Sequence, residues 1–279
     1  MRVEDPRVKK EPISKWDGNS LKRMSDVLVC EEPLEIQIDG RTWITVMRTP
    51  GDDKNLARGL LFAEGLIKNL DEIHSIRHCT VMPSPEAEDN VLQVRLAHGV
   101  ELKWEGQERH LFANASCGVC GKASLENLRR DLGPLMVNWS IPMQKLVQMP
   151  VQMYQAQSVF KQTGGLHAAA LFNRDGQILK VCEDIGRHNA TDKVIGWGLT
   201  SSTDFSQCVM VLSGRLSFEI AQKAWKAGVP ILAAVSAASS LAVAVAQEAH
   251  MGLISFVRDG TGNCSGALER FELINGASI

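Results

Sequence analysis

A second Cys-x-x-Cys half is missing from this chain, and so is most of what would make a zinc site. Of its seven cysteines, Cys117 and Cys120 form the one close pair, while Cys30, Cys79, Cys182, Cys208 and Cys264 stand alone. The only histidine pair at helical spacing, His74/His78, lies in the alternating stretch Ile73–Val81, which reads as a strand. A structural zinc site draws on two such halves, or on one half and paired histidines, and these residues do not assemble it. Charge of one sign is also lacking: 30 basic against 32 acidic residues give a net charge of −2, which leaves no sign of a nucleic-acid-binding surface. No apolar segment follows the basic residues of Met1–Arg23, so no secretory signal is expected. An odd number of cysteines in a chain too large to depend on disulfides points to a reducing, cytoplasmic compartment. Gly228–Gln247 carries no charge and approaches the length of a membrane span. It divides, however, into a buried strand, Val229–Val235, and an alanine-rich, serine-capped helix, Ser236–His250, so no membrane segment is expected.

What is present begins with Ala115-Ser116-Cys117-Gly118-Val119-Cys120-Gly121-Lys122. Gly118 and Gly121 open backbone conformations closed to other residues, and Lys122–Arg130 has helix-forming composition with Leu125 and Leu128 on one side. The thiols therefore precede a helix, whose N-terminal N–H groups, with Lys122, favour thiolate over thiol. Such a pair holds a metal, cycles through a disulfide, carries sulfur as a persulfide, or is incidental. A thioredoxin-type centre calls for aromatic and proline neighbours, and glycine and alanine stand here instead.

The remaining pattern is of an α/β protein. The arm of residues 1–24, its basic residues broken by acids and by Pro6 and Pro12, reads as solvated and loosely packed. Residues 25–142 form an α+β portion carrying the Cys-x-x-Cys loop: a hairpin over Leu34–Arg48 turning at Asp39-Gly40, a helix over Leu56–Ile67, and strands near 73–82 and 91–97. Residues 143–162 read as a connecting helix interrupted at Pro150. Residues 163–279 form a layered α/β domain. Its hairpin (Leu166–Phe172, Ile178–Cys182) is followed by a helix (Arg187–Trp197), a strand (Cys208–Leu212), a helix (Phe218–Ala227), the strand and helix already named, and a last strand (Leu253–Val257). Strands without polar alternation, separated by helices, imply a sheet covered on both faces, with parallel strands in its later part.

Three turns in this domain are candidates for ligand contact. Ser213-Gly214-Arg215, between strand and helix, gathers backbone N–H groups and a guanidinium, a pattern shared by anion pockets and ordinary capped turns. Glu183–Asn189 packs five polar side chains into a strand-to-helix turn; His188 has no serine or cysteine beside it in sequence, which favours a positioning role over that of a general base. Arg258 stands at the end of the last strand, where open α/β sheets bind ligands.

Taken together, Thr49–Asp53 with Phe62–Ile67, Cys117–Gly121, Thr163–Ala169, Glu183–Ala190, Asp192-Lys193, Ser213–Arg215, Ser217–Glu219 and Phe256–Arg258 resemble, in order, the formate dehydrogenase accessory family called FdhD. The resemblance runs from about residue 25 to 265. It implies a cytidine deaminase-like α/β fold, commonly a homodimer, and a sulfurtransferase role. A persulfide accepted from a cysteine desulfurase is passed to the bis(molybdopterin guanine dinucleotide) form of the molybdenum cofactor, which serves formate dehydrogenase. By position in the family motif, Cys117 carries the persulfide and Cys120 assists; Phe256, Val257, Arg258, Asp259, Gly260 and Thr261 meet the cofactor, with Ser213, Gly214 and Arg215 as a second contact. Where the family pattern places a second arginine and an aromatic or aliphatic residue before asparagine, this chain has Thr261-Gly262-Asn263, so cationic contacts there fall to Arg258 and Arg215. Two alternatives follow: a cofactor-binding chaperone without sulfur transfer, against which the two cysteines argue, and a zinc-binding deaminase-like protein. For the latter, the His-x-Glu and Pro-Cys-x-x-Cys ligand sets are absent.

Overall fold

Cys208–Leu212 is five apolar residues long, and all five are buried, because this strand lies inside a sheet covered on both sides. The computed structural model describes residues 5–79, 89–100, 102 and 132–272. Its strands are β1 (Val8–Trp16), β2 (Leu21–Val29), β3 (Glu32–Ile38), β4 (Arg41–Arg48), β5 (Ile73–His78), β6 (Val91–Leu96), β7 (Ile141–Pro142), β8 (His167–Asn173), β9 (Ile178–Asp184), β10 (Cys208–Leu212), β11 (Ile231–Ala234), β12 (Gly252–Arg258), β13 (Thr261–Gly266) and β14 (Phe271–Glu272). The helices are α1 (Asp53–Glu64), α2 (Met143–Leu146), α3 (Met149–Ala156), α4 (Phe160–Thr163), α5 (Arg187–Thr200), α6 (Phe218–Ala227) and α7 (Ser240–Glu248).

The main sheet has the order β13-β12-β11-β10-β8-β9. Strands β10, β11 and β12 are parallel, and β8 is antiparallel both to β10 and to β9. Strands β9 to β12 therefore run the same way and end along one edge, where β8 begins. Side chains alternate between faces with the period of two that a strand imposes. Leu171, Met210, Leu212, Leu232 and Leu253 pack with residues of α5, α6 and α7 such as Val194, Ile220 and Val245. Ala170, Phe172, Val209, Val211 and Ile231 pack against Leu146, Met149 and Met153 on the other side.

A second sheet, β4-β3-β6-β5, supports its own core, in which Leu34, Ile36 and Ile38 of β3 meet Leu56, Leu60 and Leu61 of α1. The β3–β4 turn falls at Asp39 and Gly40, both with positive φ, as the Asp-Gly pair predicts. Helix α1 then crosses α5 so closely that glycine is required at the contact. A Cβ on Gly59 would stand 1.9 Å from the Asp192 carbonyl oxygen, and one on Gly196 1.9 Å from that of Asn55. This crossing joins the two cores.

Four sequence expectations change. The supposedly loose arm folds as the β1–β2 hairpin, Val8 paired with Val29 through Trp16 with Leu21. Pro150 does not interrupt a helix but sits in the first turn of α3, where its missing N–H has no intrahelical use; residues 143–162 hold three short helices. Residues 132–142, grouped by sequence with the N-terminal portion, pack on the C-terminal one: Leu135 N–H donates to Ala249 O, Trp225 Nε1 to Gly133 O, and β7 pairs with β14. Finally, the sheet gains β13, antiparallel to β12. The strand and helix expected within Gly228–Gln247 are β11 and α7, and no helix among the described residues is long and apolar enough to cross a membrane.

Candidate functional site

The edge where β9, β10, β11 and β12 end is also where α5, α6 and α7 begin, so three helix N-termini, with their partial positive charge, face it. The loops there are stitched together. Ser213 N–H donates to Ala168 O and its Oγ accepts from Ala168 N–H at 2.9 Å, tying the end of β10 to the start of β8. Leu216 N–H donates to Ala237 O, Ser239 N–H to Leu216 O, and Phe256 N–H to Ser236 O. The loops after β10 and β11 and the last residues of β12 thus form one continuous rim. Ser213–Arg215 and Phe256 lie on it about 10 Å apart, two strand spacings.

Within the rim Gly214 is buried against two side chains: a Cβ there would stand 3.3 Å from His167 Nδ1 and 3.4 Å from Arg187 Cβ and Cδ. Arg187 opens α5, and its Nε is buried with no hydrogen-bond partner among the described residues. Burial depresses the His167 pKa, and Arg187 and Arg215 depress it further. His188 is lowered to about 4 by burial, with Arg187 and Lys223 adding to the effect. Both imidazoles are therefore neutral near pH 7, and the positive charge of the rim rests on the arginines. His188 Nε2 lies 3.4 Å from Ser217 Oγ and 3.8 Å from a Glu219 carboxylate oxygen. Burial works to raise the Glu219 pKa, but hydrogen bonds from its own backbone N–H and from Ser217 hold it below its ordinary value.

The polar run Glu183–Asn189, one turn in sequence, does three separate jobs in space. Glu183 accepts from the N–H groups of Val159 and Phe160 at the start of α4. Asp184 is fully buried and accepts from Thr49 N–H, Gly186 N–H, Asn189 Nδ2 and Lys193 Nζ, the last at 2.7 Å. Lys193 Nζ also donates to Thr49 O, and Asn189 Nδ2 to Met47 O. Asp184, Asn189 and Lys193 thus latch the end of β4 to the C-terminal domain. Arg187 and His188 are left to the rim.

Phe256 is a non-glycine residue at φ 53°, a conformation that a bulky side chain rarely adopts and that marks a constrained site. Its ring is exposed and lies 5.6 Å from the Arg258 guanidinium carbon, within cation–π range. Val257 is buried, Asp259 and Gly260 form the positive-φ turn into β13, and Thr261 Oγ1 donates to Arg258 O. Cys117 and Cys120 lie outside the described residues. Among the described residues no group of three or more His, Cys, Asp or Glu is placed to hold a metal ion. His74 and His78 both fall in strand β5, as their alternating surroundings predict.

The model of the FdhD/NarQ family matches residues 29–272 of the chain. This chain belongs to the FdhD/NarQ family. It is 48% identical over 250 residues, 88% of this chain and 92% of the other, to a protein of Mycolicibacterium paratuberculosis named sulfur carrier protein FdhD. A Streptomyces avermitilis protein of the same name is 44% identical over 257 residues, covering 89% of this chain and 90% of its own. A crystal structure described as that of a formate dehydrogenase accessory protein from Desulfotalea psychrophila superposes with a TM-score of 0.73 at 22% identity. The match covers 95% of this chain and all of that one, and so supports the mixed α/β fold.

In this FdhD/NarQ chain the structure places Ser213–Arg215 and Phe256, two of the turns expected from sequence to contact ligand, along one edge of the sheet, and sets Arg187 and His167, which the sequence does not associate with them, beside Gly214. These are the first residue of α5 and the first of β8, and no local spacing joins them to β10. The one available signal was the density of polar residues in Glu183–Asn189, which does not reveal which of them turn toward the rim.

Proposed function

We propose that this chain is a sulfurtransferase that carries sulfur as a cysteine persulfide and delivers it to the molybdenum cofactor used by formate dehydrogenase. The observation that carries this reading is the Cys117/Cys120 pair in a chain of the FdhD/NarQ family, whose curated relatives are named sulfur carrier proteins. The cationic rim supports it, since the acceptor, a bis(molybdopterin guanine dinucleotide) substrate, is rich in phosphate. Arg258 beside the Phe256 ring, with Ser213, Gly214 and Arg215, suits a flat base and anionic oxygens.

The chemistry is thiol–persulfide exchange. The Cys117 thiolate attacks the outer sulfur of the desulfurase's cysteine persulfide; the bond between the two sulfurs breaks, and the desulfurase leaves as its thiolate. Cys117 then bears the persulfide. In the delivery step the Cys120 thiolate attacks Cys117 Sγ, hydrosulfide leaves for the bound cofactor, and a Cys117–Cys120 disulfide remains for a dithiol reductant to reopen. Transfer of the sulfur to Cys120 before release is the other route for the same pair. We further read the layering as cytidine deaminase-like, the working form as a cytoplasmic homodimer, and the partners as a cysteine desulfurase and formate dehydrogenase. The test is to load the purified protein from a cysteine desulfurase and map the persulfide by mass spectrometry. The added 32 Da is expected on Cys117 and absent in Cys117→Ala. If Cys117→Ala and Cys120→Ala both still accept sulfur and still support formate dehydrogenase activation, the carrier reading is wrong.

A further inference from the structure

The β1–β2 ribbon has two unlike faces. Its ladder runs without a register shift from Val8 opposite Val29 to Trp16 opposite Leu21, so residues at every second position share a face. One face carries Val29 at its base, then Lys10 and Arg23, and the facing pair Trp16 and Leu21 beside the turn. The other carries Glu11 directly opposite Asp26, and Ile13 opposite Met24. These are the only acids in the two strands, so the first face has none. Its base is anchored: Val29 is partly buried, and a Cβ on Gly165, just after α4, would stand 3.1 Å from Val29 Cγ1. Toward the turn it is open, with Trp16 61% and Leu21 68% exposed. Lys9 pairs with Glu11 and Lys22 with Asp17, each at 2.6 Å. The side chains of Lys10 and Arg23 have no ion pair or hydrogen bond among the described residues.

We propose that this face of the ribbon seats the protein on an anionic lipid surface, with Trp16 and Leu21 entering the headgroup boundary and Arg23 and Lys10 meeting the lipid phosphates. Two cations without a neighbouring acid call for a negatively charged partner. Composition decides between lipid and protein: the two strands hold four lysines and one arginine, and lysine is depleted at protein–protein interfaces. Basic residues beside an exposed tryptophan are instead what anionic bilayers attract, the indole settling at headgroup level. A bilayer also conforms to a narrow ribbon, two strands about 4.8 Å apart, without a preformed pocket. The attachment is peripheral, since no helix among the described residues is long and apolar enough to cross a membrane. One apolar pair with two free cations holds weakly and reversibly.

Flotation of the full chain with phosphatidylcholine vesicles containing about one third phosphatidylglycerol, against vesicles of phosphatidylcholine alone, tests this. The wild-type protein is expected to float with the anionic vesicles at low ionic strength and to be released by about 1 M salt, which shortens the screening length to about 3 Å. Lys10→Gln and Arg23→Gln should each weaken partitioning about fivefold, and Trp16→Ala about tenfold or more. Met24→Ala, on the opposite face, should leave partitioning unchanged. Should Trp16→Ala lower the melting temperature, Lys10→Gln and Arg23→Gln decide by the same criterion. Failure to float with anionic vesicles overturns the proposal. So does equal flotation with neutral vesicles, or a loss in Met24→Ala as large as that in Trp16→Ala. A wild type that ignores both vesicles but sediments as a dimer, dissociated by Trp16→Ala, gives the face to a second copy of the chain and overturns the lipid assignment.

Discussion

Replacing Gly196 by alanine tests the crossing of α1 and α5. In an ordinary helix interior this change stabilises, by about 0.8–1.0 kcal/mol, because alanine loses less backbone entropy than glycine. Here the new Cβ would stand 1.9 Å from Asn55 O and 2.9 Å from Gly59 N, whereas carbon and oxygen without a bond between them rest at about 3.3–3.6 Å. Relief requires the helices to part by more than about 1 Å, and overpacking of that kind costs about 1–3 kcal/mol or more. The parting also pulls on the Lys193–Asp184 and Lys193–Thr49 contacts at 2.7 and 2.8 Å. The clash therefore outweighs the propensity gain, and we expect a net loss of about 2 kcal/mol. At about 2–4 °C per kcal/mol for chains of roughly this size, the melting temperature should fall by about 4–8 °C. Gly59→Ala meets Asp192 O at the same 1.9 Å, and one separation of the helices accommodates both methyl groups. The double variant should then cost clearly less than the sum of the singles. Urea titrations and thermal melts by circular dichroism measure both. A Gly196→Ala protein that melts at or above the parent temperature refutes the argument that this contact is closed to a side chain.

Lys193→Met should cost about 3–5 kcal/mol in urea unfolding, since it leaves the Asp184 carboxylate buried without its cation; adding Asp184→Asn should recover part of that, and a loss under 1 kcal/mol would contradict the latch. His188, whose pKa falls to about 4 in the fold from an ordinary value near 6.5, binds fewer protons folded than unfolded between those limits. Its contribution is present in full above pH 6.5 and is lost as pH falls toward 4, up to roughly 3 kcal/mol. His188→Gln should flatten that part of the stability–pH curve, and an unchanged slope would show that the imidazole does not titrate this way. Burial lifts the Cys182 and Cys208 thiols to about 12, so iodoacetamide at pH 8 should leave both unmodified in the folded protein. Rapid labelling of either, mapped by mass spectrometry, would contradict their assigned burial.

Much of the C-terminal sheet was legible because its strands are buried on both faces: Cys208–Leu212 reads as an uninterrupted apolar run with no competing helical period. The type of turn at Asp39-Gly40 was readable for a local reason, the positive φ it demands. Harder elements lacked such signals. Strand β13, Thr261–Gly266, contains no large aliphatic residue and is held to β12 by backbone pairing. The β1–β2 ribbon is exposed along most of its length, so no buried face imposes alternation on its sequence, and charges with prolines read as disorder. At the site, the residues of each turn were visible but their division of labour was not. Asp184, Asn189 and Lys193 point into the junction with Thr49 while Arg187 and His188 turn to the rim, and that separation follows from the path of α5 relative to α1, a tertiary fact.

Among the described residues the β1–β2 ribbon stands as a sheet of two strands, and each has an outer edge nine residues long that no other described strand pairs with. Such backbone is a template for addition of a foreign strand, and Trp16, Leu21, Met24 and Leu28 expose apolar surface beside it. Pro12 withholds one N–H within β1, and Lys9, Lys10, Lys15, Lys22 and Arg23 space positive charge along both strands. Any chain that zipped onto either edge would have to bring those cationic groups into register with its own side chains. The same composition that hides the ribbon from a sequence reader gatekeeps it against edge-to-edge aggregation.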